Sequence, residues 1–295
     1  MKRYLQLVGF SFILAGCSFL GGGGSNAPST AGIDGGVFKS FNRGESFLQI
    51  VAIPSVSDQK PNISGANIVT YTVDPQDRFA IYLGTRSQGM FYTYNGGNTW
   101  TKSPLAPQSR INAIAVDPKN KCTIYAAVGA QVFKSVDCSR SWIGTYVQDA
   151  PEQTISAIAV DPNTPSIVYA ADVHGNVFKS TDFASSWTNL ARFQDPIRQI
   201  LIDGENSSIM YIATALRGIQ KTTDSGDSWE NLSENMKQYN GANIHRKLLF
   251  NPSKDNSLMY ASDYGILVTE DGGESWATIP LLTPPRAGSY TPLTL

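Results

Sequence analysis

The sequence predicts an all-β fold: a β-propeller of six blades, each of four antiparallel strands, closed by pairing between the two ends of the chain. Three observations predict it. The chain repeats itself at an interval of about 42–47 residues. Each copy holds short apolar runs separated by turn residues, the mark of an all-β unit. Each copy also closes on the same turn signature followed by an aromatic residue. A four-strand repeat of this length is a propeller blade, because one blade cannot bury both faces until its neighbours stack against it. Hydrophobic residues at 41% and aromatics at 11% supply such a core.

The first sixteen residues, MKRYLQLVGFSFILAG, join a basic start (Lys2, Arg3) to an apolar run from Tyr4 to Leu14. That run is too short for a bilayer, which takes about 20 residues, and suits the core of a secretion signal. It ends in Leu14-Ala15-Gly16-Cys17, which resembles a bacterial lipobox. The resemblance implies cleavage before Cys17 and acylation of its thiol, with palmitate-like chains. An ordinary secretory signal beside a stray cysteine is the alternative. Each buried CH₂ contributes about 0.8 kcal/mol, so two or three chains hold a protein stably at a membrane. The expected address is the bacterial cell envelope, extracytoplasmic and lipid-anchored. In a diderm it is the outer membrane, since Ser18 is not an acidic retention residue. Residues 17–32 then comprise the lipidated cysteine and a tether, because LGGGGSNAPSTAG is too small and polar to fold. Residues 33–295 form the propeller.

Five copies end at Trp100, Trp142, Trp187, Trp229 and Trp276, and a partial one, GGVFKSFNRGESF, ends at Phe47. The first strand of each full copy is apolar and stops at Asp-Pro or a variant (Asp74, Asp117, Asp161, Asp203, Asn251). Proline there removes a ladder donor and begins a turn. The second strand carries a tyrosine (Tyr82, Tyr125, Tyr169, Tyr211, Tyr260), and the third includes strings such as Val132-Phe133-Lys134. The closing signature, Ser/Thr-x-Asp-x-Gly-x-x-Trp, follows, and the fourth strand begins near its tryptophan.

That signature resembles the Asp-box, or BNR, repeat of sialidase-like propellers. Asp224 with Trp229 and Asp271 with Trp276 match it fully. Ser139 and Ala184 replace glycine beside Asp137 and Asp182, Asn42 and Asn95 replace aspartate, and Phe47 replaces tryptophan. The chemistry is structural: the Asx oxygen accepts from turn amides, glycine permits positive φ, and the ring fills the gap between blades. The partial copy lacks a first strand, and residues 288–295 have the length to supply it, which is the basis for six blades. Seven blades is the alternative if the insert at 54–64 holds strands. Val128–Gln131 reads as a tight hairpin that sets Cys122 almost opposite Cys138. Either two free thiols or a disulfide fits, the latter adding about 3 kcal/mol for a loop of this length.

Formal charge is −1; loss of residues 1–16 removes two cations and no acid, giving −3. No basic stripe points to nucleic acid. Two cysteines with a distant His174 and His245 make no zinc signature. No glycine-rich phosphate loop precedes a helix, so neither metal nor cofactor is expected.

Ligands of propellers usually meet the face opposite the turn signatures. The repeat places Arg86, Asp172, His174, Arg217, Asp263 and Tyr264 in loops of that face. It sets Arg110, Arg198, His245 and Arg246 at or near the start of innermost strands. Arg198 and Arg246 hold equivalent positions in adjacent copies and should stand side by side. Clustered guanidinium groups fork onto carboxylate or phosphate; loop arginines are equally at home solvated or paired with Asp172 and Asp195.

The whole body also resembles the photosystem II stability/assembly-factor family and its non-photosynthetic relatives, on the strings VFKS-x-D-x-x-x-SW across about residues 30–280. That resemblance implies a docking platform with a protein or other acidic partner. The sialidase-like resemblance implies the second reading, a glycan-binding protein or glycoside hydrolase. Its catalytic set would have to come from Arg198, Arg217 and Arg246 with Tyr264 or Tyr239 and Asp172. The Arg-Ile-Pro motif of true sialidases is absent, and the loop carboxylates Asp172 and Asp263 are two blades apart, so no catalytic residue is assigned.

Overall fold

A computed structural model describes residues 13–15, 35–42, 44–55, 61–147 and 153–279. Cys17, the tether and residues 288–295 lie outside this set. The chain divides into two compact units at the Ile111–Asn112 step. In the first, β1 (Ile13–Ala15), β2 (Val37–Lys39) and β3 (Leu48–Gln49) form a three-stranded sheet. Beside them in sequence, β4 (Ile68–Val73), β5 (Ile81–Thr85), β6 (Met90–Thr93) and β7 (Thr101–Lys102) make a four-stranded blade.

The second unit holds four more blades. They are β8 (Ala113–Asp117) to β11 (Ile143–Tyr146) through β9 (Asn120–Val128) and β10 (Gln131–Ser135); β12 (Ile155–Val160), β13 (Val168–Asp172), β14 (Asn176–Ser180) and β15 (Thr188–Arg192); β16 (Ile197–Ile202), β17 (Met210–Thr214), β18 (Ile219–Thr222) and β19 (Glu230–Asn231); and β20 (His245–Phe250), β21 (Leu258–Ser262), β22 (Ile266–Thr269) and β23 (Ala277–Thr278). Within each blade the strands pair antiparallel in chain order.

The blade count corrects the sequence. The described residues form five four-stranded blades, neither six nor seven. The partial copy gives only the hairpin β2–β3, and its third strand comes from the N-terminal apolar run, Ile13 opposite Lys39 and Ala15 opposite Val37. The insert supplies only a single bridge, Ala52 to Asn62, so it adds no blade. A hairpin with an open edge pairs with whatever extended segment reaches it, and repeat counting cannot say which.

The second strands are the core. Tyr82, Tyr125, Tyr169, Tyr211 and Tyr260 are all buried. Burial, with Asp161 and Asp203 nearby, pushes Tyr169 and Tyr211 up to about 12. In the second unit the innermost strands β8, β12, β16 and β20 stand in succession, and apolar clusters fill the space between consecutive blades. Three tryptophans of this unit occupy these gaps. Trp187 packs on one cluster, the Trp229 ring meets Phe193 edge-on at 5.3 Å, and Trp276 is buried against Leu232 and Tyr260. In the first unit Trp100 is fully buried and its Nε1 donates to the Ile50 carbonyl at 2.8 Å.

Each turn signature is a small hydrogen-bonded cage. In the fourth, the Thr222 hydroxyl donates to Asp224 Oδ1 at 2.6 Å and accepts from the Gly226 amide at 3.0 Å. Asp224 in turn accepts from the amide and hydroxyl of Ser228 at 2.9 and 2.5 Å. Asp137, Asp182 and Asp271 repeat the arrangement with Ser141, Ser186 and Ser275. These bonds hold Asp137 down to about 2, the Ser141 hydroxyl first among them, and lower Asp182 and Asp224 further. Asn42 and Asn95 keep the acceptor, taking the amides of Ser46 and Thr99, while their NH₂ groups donate to the hydroxyls. The residue two after the Asx is left-handed whether glycine or not: Gly226 and Gly273 at φ 100°, Ser139 at 70°, Ala184 at 66°. Cys138 sits in the second blade's turn and is joined by a disulfide to Cys122 of β9.

Three of the strands before the turns, β2, β10 and β18, also contribute a lysine that reaches the next turn in sequence. Lys39 Nζ donates to the Gly96 carbonyl at 2.9 Å, and Lys134 Nζ lies 4.8 Å from the centre of the Phe183 ring. Lys221 Nζ abuts Gly272, where an added methyl would come within 3.0 Å of it.

Candidate functional site

The innermost strands β4, β12, β16 and β20 share one irregularity. Each shifts register at its second residue: Val69, Ser156, Arg198 and Arg246. A bulge leaves that residue out of the ladder and re-aims its side chain. Before the bulge stand Ile68, Ile155 and Ile197, the last two buried; after it stand Thr70, Ala157 and Gln199. The last blade breaks the pattern, with His245 in the isoleucine place and Lys247 where the others have an uncharged residue. A local Ile-x-(Thr, Ala or Gln) has become His245-Arg246-Lys247.

Gln199 fixes this triplet against the preceding blade. Its Nε2 donates to the Leu248 carbonyl at 2.7 Å and its Oε1 accepts from the Leu248 amide at 3.1 Å. The two innermost strands are thus clamped at the residues next to Arg198 and Lys247. Arg198 and Lys247 are exposed, and among the described residues neither side chain forms a hydrogen bond or ion pair. Arg246 Nε donates to Asp263 Oδ1 at 2.6 Å. The His245 ring stacks on Tyr260 at 5.8 Å, and its Nδ1 is buried without a hydrogen-bond partner. Burial first, and then the charges of Lys247, Arg198 and Arg246 in that order, together lower the imidazole to about 4. The site is therefore a positively charged corner around a neutral histidine. It can receive a carboxylate or phosphate, whose charge would offset Arg198 and Lys247 and whose oxygens would suit a guanidinium fork.

The other residues singled out by sequence take different places. Arg86 and Arg110 belong to the first unit, both exposed. Asp172 is fully buried in the β13–β14 turn. Its Oδ1 accepts from the His174 and Asn176 amides at 2.8 and 2.9 Å, and its Oδ2 from Asn176 Nδ2 at 2.7 Å. That carboxylate holds its own turn and has no position open for a substrate. His174 is exposed. The Arg217 amide is bound to Asp195 Oδ2 at 2.9 Å, leaving an exposed side chain. Tyr264 packs on Tyr239 at 5.1 Å, and the Tyr239 hydroxyl donates to the Trp276 carbonyl. Arg198, His245 and Arg246 are brought together; Lys247 and Gln199 went unnoticed, although their departure from Thr70, Ala113 and Ala157 at the same repeat position was visible. Among the described residues no group of three or more His, Cys, Asp or Glu is placed to hold a metal.

Among known families, the model described as sortilin, neurotensin receptor 3 matches residues 175–283. No curated protein matches. Among solved structures, an ancestral GH74 enzyme is 19% identical with TM-score 0.59, covering 74% of this chain and 32% of its own. The Niastella koreensis GH74 enzyme is 18% identical with TM-score 0.62, covering 83% and 42%. A structure titled YCF48 bound to D1 peptide is 15% identical with TM-score 0.55, covering 72% and 68%. The chain spans less than half the length of those GH74 structures. These likenesses show the β-propeller fold.

Proposed function

We propose that the protein is an envelope-tethered docking platform that takes an acidic segment of a partner protein at the corner formed by Arg198, His245, Arg246 and Lys247. The carrying observation is the replacement of isoleucine and an uncharged residue by His245 and Lys247, beside an arginine with no ion-pair partner among the described residues. A buried apolar position is costly to give up without a use, since burying a polar atom unpaired costs about 1–3 kcal/mol. The YCF48 structure, bound to a peptide by its title, supports the docking reading by fold. The turn cages have the hydrogen-bonding expected of Asp-boxes, and Cys17 is read as the acylated residue. Cleavage before Cys17 would release Ile13–Ala15 from the edge of β2.

The test is fluorescence anisotropy of the full chain with a labelled oligoglutamate peptide. Replacing Arg198 and Lys247 by alanine should weaken binding by about tenfold or more, and salt should weaken it further. Equal binding by the variant would sink the reading. Turnover of a xyloglucan oligosaccharide by the same preparation would favour the glycoside-hydrolase alternative, which the GH74 neighbours motivate.

A further inference from the structure

The first unit carries an apolar patch of its own. In the turn after β2 the residue between Ser40 and Asn42 is Phe41, which is 68% exposed. Leu48, directly across from Lys39 in the β2–β3 register, is 62% exposed, and Phe79 is 47% exposed. These side chains are contiguous. Lys39 Nζ lies 4.9 Å from the Phe41 ring centre, and a methyl group added to Gly96 would touch both Lys39 Nζ (3.2 Å) and the Phe79 ring (3.1 Å). The Arg78 guanidinium covers the Phe79 ring at 4.9 Å. Three large apolar groups therefore surround one lysine, with an arginine at the rim.

The turn itself does not require Phe41. At the same place the next two copies have Tyr94 and Val136, also exposed, and the last three have Thr181, Thr223 and Glu270, and all five cages close in the same way. A lone exposed apolar residue needs no explanation, but a contiguous group marks a contact surface. Its chemistry is that of a bilayer interface, where aromatic rings sit at headgroup depth and lysine or arginine heads meet anionic lipid. The covalent chain points to the same occupant. A stretch from Cys17 to Gly35 spans at most about 60 Å, and Gly35 leads straight into β2, whose last residue is Lys39. An acylated Cys17 holds this unit to the membrane before any other part of the body.

We propose that Phe41, Leu48 and Phe79, with Lys39 and Arg78, form a membrane contact that seats the first unit on an anionic lipid surface. The inference rests on the reading of Cys17 as acylated. The test reconstitutes the full-length protein, purified from bacterial membranes, in vesicles of phosphatidylethanolamine and phosphatidylglycerol carrying a diazirine-acyl phospholipid. Photo-cross-linked peptides and the Cys17 peptide are then weighed by mass spectrometry. Cross-links should concentrate in the peptides holding Phe41–Leu48 and Phe79, and Phe41→Ser with Phe79→Ser should reduce them by about tenfold. Leu48→Ser alone gives the same comparison if the double variant loses its melting transition. Acylated Cys17 with no cross-links in these peptides, or with cross-links unchanged in the variants, overturns the patch and leaves the anchor standing. An unmodified Cys17 overturns the anchor, and the inference with it.

Discussion

His245 occupies a place that isoleucine fills in the other four blades, and its imidazole is neutral in the fold. The unfolded chain takes up a proton as pH falls through 6.5, whereas the folded chain does so only near 4. Stability contributed by the neutral state is therefore present above pH 6.5 and is lost between there and 4, at most about 3 kcal/mol. His245→Ile should flatten that slope in urea unfolding midpoints measured at pH 4.5 and 7; a slope that persists would mean another group titrates. At Asp224, alanine removes acceptors for the Ser228 amide, the Ser228 hydroxyl and the Thr222 hydroxyl. Asp224→Ala should lower the denaturation midpoint. Asp224→Asn should lower it less, because Asn42 and Asn95 already close the same cage with an amide. Chemical denaturation of the two variants separates these outcomes.

At the scale of the element, Cys138 ties the second blade's turn to β9 at Cys122. Replacing both cysteines by serine should lower stability by about 3 kcal/mol, the loop entropy for some 15 residues; a melting temperature equal to that of the parent would show that the bond contributes nothing. Strands, second-strand tyrosines and turn cages were legible because each is written in local spacing that recurs. The adjacency of Arg198 and Arg246 was legible for the same reason, as equivalent positions in consecutive repeats. The partner of the β2–β3 hairpin was not, since strand pairing over a long separation leaves no periodic trace, and six blades were expected where five are described. The bulges at Ser156, Arg198 and Arg246 were also hidden, because a one-residue register shift alters no residue type. Lys39, Lys134 and Lys221 recur in plain view, yet nothing in a single strand says that the ammonium group crosses to the following blade.

For the whole molecule, the four turn aspartates Asp137, Asp182, Asp224 and Asp271 all lie in the second unit and all titrate below the usual carboxylate range. For Asp271 burial alone would raise the value, and the bonds from Ser275 and Thr269 outweigh it. Depressed carboxylates give stability that is full above about pH 4 and declines as pH falls through their folded values. The turns of the first unit, built on Asn42 and Asn95, carry no such dependence. Hydrogen exchange at pH 2 to 3 should therefore open amides of the second unit's turns first; uniform opening would contradict it. The lysines that cross between blades have a further consequence. Lys39, Lys134 and Lys221 each precede the turn they brace at Gly96, Phe183 and Gly272. A polypeptide threaded out amino end first thus delivers every brace ahead of its socket, and assembly can proceed in order of emergence without waiting for the tail.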